Sequence, residues 1–327
     1  MTGVPIVRPA DLGTHPGTAI VGVDLRGPVT SVGLLGGDVV YVGIGPVAPG
    51  WEALVERLDV TLVPQDAGRA TVVVDDPLAG LDELGSAVAA SPCAATMLAG
   101  LLRWSGTLPV HAALDAESHL YSTLLGGVEF RAWLDRRGPR PLPPEVAEPV
   151  RVDRGGGELR VILDRPERRN AYGRQVRDAL VGALDVALLD PSIEKVVLTG
   201  AGPVFCAGGD LDEFGTTPDP VTAHLVRTRY GAARPLHALR DRLEVRVHGA
   251  CVGAGIELPA FAGRVVAAPG TTFRLPEVAM GLVPGAGGTV SIPRRIGRHR
   301  TFYLALSGKS LPTTTALNWG LVDEIGH

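Results

Sequence analysis

The spacing of apolar residues divides the chain into three stretches. In the first, short apolar runs between turn residues predict strands at Thr18–Asp24, Thr30–Leu35, Asp38–Val42, Val60–Val63 and Ala70–Val74. From Leu81 to Leu102 and from Val110 to Leu134 apolar residues recur at three and four, as in Leu114, Leu120, Tyr121, Leu124 and Leu125, which predicts helices. Arg136–Val150 (RRGPRPLPPEVAEPV) breaks both periods with five prolines and predicts an extended linker. Beyond it, strand and helix signals alternate. Strands are expected at Glu158–Leu163, Lys195–Leu198, Glu244–Val247 and Arg264–Ala267, and helices at Arg174–Leu189, near Ala223–Leu239, from about Gly255, and after Pro276 and Gly288. That alternation predicts an α/β architecture with parallel strands joined by crossover helices, and ligands gathered at loops beyond the strand ends.

Composition narrows the function classes. A net charge of −4 over 327 residues gives no global positive field for a phosphate backbone, so nucleic acid is not the expected partner. The opening MTGVPIVRPADLG lacks a basic-then-apolar leader, and no run of about eighteen apolar residues suggests a membrane span, so a soluble cytoplasmic protein is expected. Cys93, Cys206 and Cys251 are far apart and form no zinc-binding spacing, which suits a reducing compartment and no metal.

Two glycine-rich loops, Gly200–Asp210 (GAGPVFCAGGD) and Gly249–Glu257 (GACVGAGIE), each follow a predicted strand and lead toward a helix. Neither is a dinucleotide fingerprint or a P-loop. Loops of small residues expose backbone N–H groups that suit a developing oxyanion, although tight turns alone would also require glycine.

Five motifs decide between these alternatives. RPERRNAYG (Arg165–Gly173), VVLTGAGPVFCAGGDLDEF (Val196–Phe214), VHGACVGAGIEL (Val247–Leu258), FRLPEVAMGLVPGAGGT (Phe273–Thr289) and ALNWGLVDEI (Ala316–Ile325) together resemble the crotonase (enoyl-CoA hydratase/isomerase) superfamily, in its order and spacing, over about 175 residues. The resemblance implies a ββα spiral core over 152–327 acting on an acyl-CoA or enoyl-CoA thioester, with coenzyme A part of the substrate and no separate cofactor. It implies oxyanion donors at the amides of Gly209 and Ala254, where the commoner residue at the second position is Gly. It also implies catalytic carboxylates at Glu257 and Glu277, and substrate contacts from Arg168, Asn170, Ala171, Ala207, Gly208, Asp210 and Gly253. Two carboxylates suit syn addition of water, one to deprotonate water at C3 and one to deliver a proton to C2. Each Glu alone would read as a helix-start residue. The family's trimers or hexamers imply a homo-oligomer.

Other candidates point to bland roles. Arg168 belongs to an RPERR run that is equally a solvated turn. Arg294, Arg295, Arg298, His299 and Arg300 could meet CoA phosphates but read rather as a charged helix face. His248 reads as a hydrogen-bonded core residue, and Cys206 as a small apolar loop residue.

The chain departs from the family pattern in its order. It stops just after GLVDEIGH, whereas Val72–Arg103 and Leu108–Arg140 resemble the family's C-terminal helices. A circular permutation or the remnant of a tandem duplication is therefore expected. Residues 1–140 would then supply a β-rich segment plus those helices, with 141–151 as linker; Met1–Ala70 resembles nothing identifiable. Gly263 stands where Asp is common, and Pro259 interrupts the helix after the second loop. Besides a hydratase, the same residues admit another crotonase reaction (isomerisation, thioester hydrolysis or decarboxylation), or a non-catalytic partner subunit.

Overall fold

Two parallel sheets organise the chain in a computed structural model that describes residues 3–13 and 17–326. Met1, Thr2 and His327, at the outer limits of the predicted regions, lie outside the described residues. The first sheet contains β1 (Ile6–Val7), β2 (Ile20–Asp24), β3 (Val40–Ile44), β4 (Val60–Val63) and β5 (Thr71–Val73), all parallel and ordered as in the sequence. Alternation along the strands gives it two apolar faces. Ile20, Val40, Val42, Val60 and Leu62 join the main core, and Val21, Val23 and Tyr41 face a smaller cluster with Trp51 and Leu58.

Thr30–Leu35 is not a strand. Its β-branched residues carry the propensity, but Gly33 donates its amide to the Pro9 carbonyl and Leu34 is 83% exposed, so the segment packs beside the turn Pro9–Asp11 and gains no sheet partner.

Each predicted N-terminal helix is two. The first splits into α1 (Pro77–Ala90) and α2 (Pro92–Trp104), because Pro92 has no amide to continue the ladder; the chain turns there by 110°. The second splits into α3 (Val110–Leu125) and α4 (Val128–Arg137) at Gly126-Gly127, where glycine makes helix continuation costly. Among the described residues no single helix is long and apolar enough to cross a membrane.

The linker holds no helix or strand from Gly138 to Pro149 and ends in a strand the sequence did not suggest, β6 (Val150–Gly155). It pairs antiparallel with β7 (Glu158–Leu163), Val150 opposite Leu163 and Gly155 opposite Glu158, and Gly156-Gly157 forms the turn. From there the chain winds as a spiral. It runs through α5 (Arg174–Leu189), β8 (Lys195–Gly200), α6 (Pro220–Tyr230), α7 (Ala233–Ala238), β9 (Leu243–Val247), β10 (Ala250–Val252), α8 (Ala254–Glu257), β11 (Arg264–Ala267) and β12 (Thr272–Arg274). It closes with α9 (Gly288–Ile296), α10 (Arg298–Ser307), β13 (Leu311–Pro312), α11 (Thr313–Trp319) and β14 (Glu324–Ile325). One sheet is ordered β14-β11-β9-β8-β7-β6 and a smaller one β10-β12-β13, so β9 and β11 each continue into a strand of the smaller sheet. Successive turns stack: the Val252 amide donates to the Cys206 carbonyl (3.1 Å) and the Gly253 amide to the Arg274 carbonyl (2.9 Å).

The α/β fold matches expectation, with α8 cut to one turn by Pro259, which starts a 3₁₀ turn at Pro259–Phe261. Gly263 has a packing reason, since a Cβ there would come within 2.6 Å of the Arg240 carbonyl oxygen.

The two halves share one core. A single apolar cluster joins Val42, Leu62, Leu84, Leu98 and Ala113 to Val161, Leu198, Val245, Val290 and Phe302. Arginines stitch the same boundary, which corrects the expectation of a charged helix face. Arg294 donates to the Leu108 carbonyl (2.9 Å), Arg298 to that of Glu56, Arg300 to that of Thr71 (3.3 Å), and Arg69 to that of Arg295 (2.5 Å).

Candidate active site

The spiral places the two glycine loops side by side. Tyr172 pairs with Gly209 in a parallel bridge, its amide donating to the Gly208 carbonyl (2.7 Å), while the Asp210 amide donates to the Tyr172 carbonyl (3.4 Å). This arrangement leaves the Gly209 amide without a partner among the described residues. The Ala254 amide, at the start of α8, is likewise unspent. Gly253 precedes it with φ +50°, and a Cβ there would lie 2.5 Å from Glu277 Oε1, so only glycine brings the donor this close to the carboxylate.

Gly209, Asp210, Ala254, Glu257 and Glu277 line one cavity of ≈ 210 Å³, together with Tyr121, Tyr172 and Arg227. The other predicted residues brace its wall. Arg168 donates to both oxygens of Asp210 (2.9 and 2.7 Å) and to Asp212 (2.8 Å). Asn170 is fully buried; its Oδ1 accepts from the Arg165 amide (2.8 Å), and its Nδ2 donates to the carbonyls of Ala201 (2.8 Å) and Val204 (3.0 Å). The Ala171 amide donates to the Arg168 carbonyl (3.1 Å), the Ala207 amide to that of Arg169 (3.0 Å), and Gly208 makes the left-handed turn at φ +99°. The side chains of Arg168 and Asn170 are thus engaged within the protein. His248 bonds the Gly202 carbonyl (2.9 Å), and burial pushes the Cys206 thiol up to about 12, which keeps it protonated.

The two glutamates differ in their surroundings. Glu257 Oε2 accepts from the amides of Ala286 (2.8 Å) and Gly288 (2.9 Å), at the start of α9. Glu277 Oε2 is buried without a partner. Burial raises the pKa of both, Glu277 to about 8, and Glu277 and Glu117 push Glu257 further. The two N–H donors on Glu257 oppose its rise without outweighing burial and its carboxylate neighbours, so what separates the pair is geometry: Glu257 is hydrogen-bonded on Oε2 and Glu277 is not. The arrangement offers a base, an acid and two oxyanion donors around one space.

A third carboxylate, Glu117 of α3, escaped the sequence reading. It accepts from the amides of Gly287 (2.8 Å) and Thr289 (2.9 Å) and from Thr289 Oγ1 (2.7 Å), and burial raises it to about 7. Four successive amides, 286 to 289, are thereby shared between Glu257 and Glu117. A signal was present. Leu114, Glu117, Tyr121 and Leu124 fall on one helix face, and a carboxylate on an otherwise apolar stripe needs an internal partner.

Comparison with known proteins places the second half in a family. The family model for enoyl-CoA hydratase/isomerase matches residues 154–326. The chain belongs to that family. It is 36% identical over 174 residues to a 2,3-dehydroadipyl-CoA hydratase of Escherichia coli K12, covering 53% of this chain and 68% of that protein. It is 34% identical over 173 residues to a 1,2-epoxyphenylacetyl-CoA isomerase of the same organism, covering 52% and 66%. Among solved structures, an enoyl-CoA hydratase/isomerase from Mycobacterium paratuberculosis superposes with TM-score 0.51 at 26% identity, over 56% of this chain and 74% of that one. The chain spans about two thirds of the length of the curated relatives it matches. The crotonase family region is thus the second half; residues 1–153 lie outside the match.

Proposed function

We propose that this chain is an enoyl-CoA hydratase adding water to an α,β-unsaturated acyl-CoA thioester. The observation that carries the proposal is the asymmetric glutamate pair beside two unspent amides: Glu257 hydrogen-bonded on Oε2 by two N–H groups, Glu277 unpartnered on Oε2. The thioester oxygen would accept from Gly209 and Ala254, which stabilise the enolate. Glu257 would take the proton of the attacking water, and Glu277 would deliver one to C2. The backbone donors supply the electrophilic assistance, so no metal or redox cofactor is invoked. The names of the relatives support an acyl-CoA substrate, and they include both a hydratase and an isomerase. We place the chain in the cytoplasm as a homo-oligomer, in line with its three free cysteines and with the family. We also take α1–α4 to stand where the family's C-terminal helices stand, in permuted order, as their packing over the catalytic core would require.

The test is incubation of the full-length protein with crotonoyl-CoA, with and without a chelator, following loss of enoyl absorbance and a mass gain of one water. Hydration unaffected by the chelator is expected. Double-bond migration without mass gain would replace the hydratase with an isomerase; activity lost to the chelator and restored by one divalent ion would defeat the cofactor-free chemistry.

A further inference from the structure

Beside the cavity of the two glutamates lies a second chamber of ≈ 70 Å³, sharing Tyr172, Arg177, Arg227, Gly285 and Ala286 with the first and lined by residues of α3, α6 and α7. At about 30 Å³ per water, it has room for a group of about two waters' size. Three guanidinium groups line it. Two are balanced, Arg234 by Asp115 (2.6 Å) and Arg177 by Asp178 (2.7 Å). Arg227, which borders both chambers, is not. Its Nη2 donates to the neutral Ser122 hydroxyl (2.8 Å), and its guanidinium lies 4.2 Å from the centroid of the neutral Tyr121 ring. Its Nε is buried without an acceptor, as is that of Arg234, but Arg234 has a carboxylate on its guanidinium and Arg227 has none. Among the described residues no carboxylate reaches it at ion-pair distance. The nearest acid, Glu117, turns its oxygens to the amides of Gly287 and Thr289 instead.

A cation that stays charged at every physiological pH, with one donor buried and unmet, is costly unless something anionic completes it. The position of Arg227 selects the partner: the residue lines both the cavity that holds Glu257 and Glu277 and the adjoining chamber. We propose that Arg227 receives an anionic terminus on the acyl chain, so that the site takes short acyl-CoA thioesters ending in a carboxylate in preference to plain fatty acyl thioesters. This assignment rests on the acyl-CoA reading of the site but not on hydration, and binding alone tests it.

Pairs of saturated, unreactive thioesters matched in length, pentanoyl-CoA with glutaryl-CoA and hexanoyl-CoA with adipoyl-CoA, are titrated into the full-length protein by calorimetry. The carboxylate-ended member of at least one pair should bind about tenfold more tightly, the scale of one charge-assisted hydrogen-bonded contact. Arg227→Met should erase that preference while changing affinity for the neutral member less than about threefold, and Arg227→Lys should keep part of it. Equal or weaker binding of both carboxylate-ended thioesters by the unaltered protein would overturn the proposal, whether or not a variant folds. So would an equal loss for both members in Arg227→Met. A retained preference without turnover of the matching enoyl-CoA thioesters would uphold the proposal and count against hydratase chemistry alone.

Discussion

Both halves of the chain lay down parallel strands in sequence order, yet only one turns its strand ends into chemistry. In the first sheet, the loops after β2 and β3 spend their amides on one another: Leu25 donates to Ile44, Gly45 to Leu62 and Ala48 to Leu25. In the second, glycines hold Gly209 and Ala254 so that their amides have no internal partner and face a cavity. Topology is common to both, and what separates them is which backbone donors are left unspent. The first half reaches the site by another route. Its helix α3 delivers Glu117 and Tyr121 to the wall opposite the glycine loops.

The largest effect should come from separating the halves. A fragment of 152–327 would lack β6's first residues and expose the apolar surfaces of α9 and α10 that α1, α2 and α3 cover, including Val290 and Phe302 in the shared core. Insolubility or indiscriminate oligomerisation on size-exclusion chromatography is expected. A soluble monodisperse fragment with full activity would show that the first half is an independent domain, and the permuted arrangement would fall with it.

Next in size are the two glutamates. Glu257→Gln and Glu277→Gln should each lower kcat by at least about 10²-fold, the lower end for a positioned acid or base. Neither forces a donor conflict: in Glu257→Gln the side-chain carbonyl oxygen can still accept from Ala286 and Gly288, which both reach one oxygen, and Glu277→Gln disturbs no hydrogen bond on Oε2, so kcat should fall with KM little changed. Steady-state kinetics on crotonoyl-CoA separate the two, and undiminished kcat in either variant would remove that residue from the mechanism.

The catalytic half was legible because its glycines and acids sit in runs whose spacing no ordinary packing demands. Gly208-Gly209, Ala254 and both glutamates could be numbered from sequence, and Gly209, Ala254, Glu257 and Glu277 do meet in one cavity. What the residues do for each other was less legible. Arg168 and Asn170 stand in the matching motif, but apart from the nearby Arg165 amide their side chains meet protein partners 31 to 44 residues away, which local spacing cannot reveal. Glu117 lies 170 residues from the amide it caps, and Arg298 and Arg300 serve carbonyls over 200 residues distant. The errors in the first half have local causes: the period that predicted long helices is blind to Pro92 and Gly126-Gly127, and β propensity in Thr30–Leu35 was outweighed by packing beside Pro9–Asp11, which gives it no strand partner.

The smallest effect sharpens the contrast between the halves most directly, because one substitution should have opposite signs in them. Glu277 and Glu117 have folded pKa values of about 8 and about 7, both raised from 4.5 by burial. The sign of the linkage follows from that direction. The folded protein holds protons that the unfolded chain releases, so stability is fully present below pH 4.5 and is lost as pH rises toward the folded values. Glu277→Gln removes the larger share of that loss and leaves no Oε2 partner unmet, so at pH 8.5 it should stabilise the protein while at pH 5 it changes little. Glu117→Gln also removes a titrating group, but one of its oxygens becomes an NH₂ facing the donors of Gly287 or Thr289, a conflict worth about 1–3 kcal/mol at either pH. It should therefore destabilise at pH 5 and recover only part of the difference at pH 8.5. Denaturation midpoints of the three proteins at both pH values decide it. If Glu277→Gln destabilises at pH 8.5, its carboxyl is ionised and paired in the folded protein, and the proposed division of roles between Glu257 and Glu277 would have to be reversed.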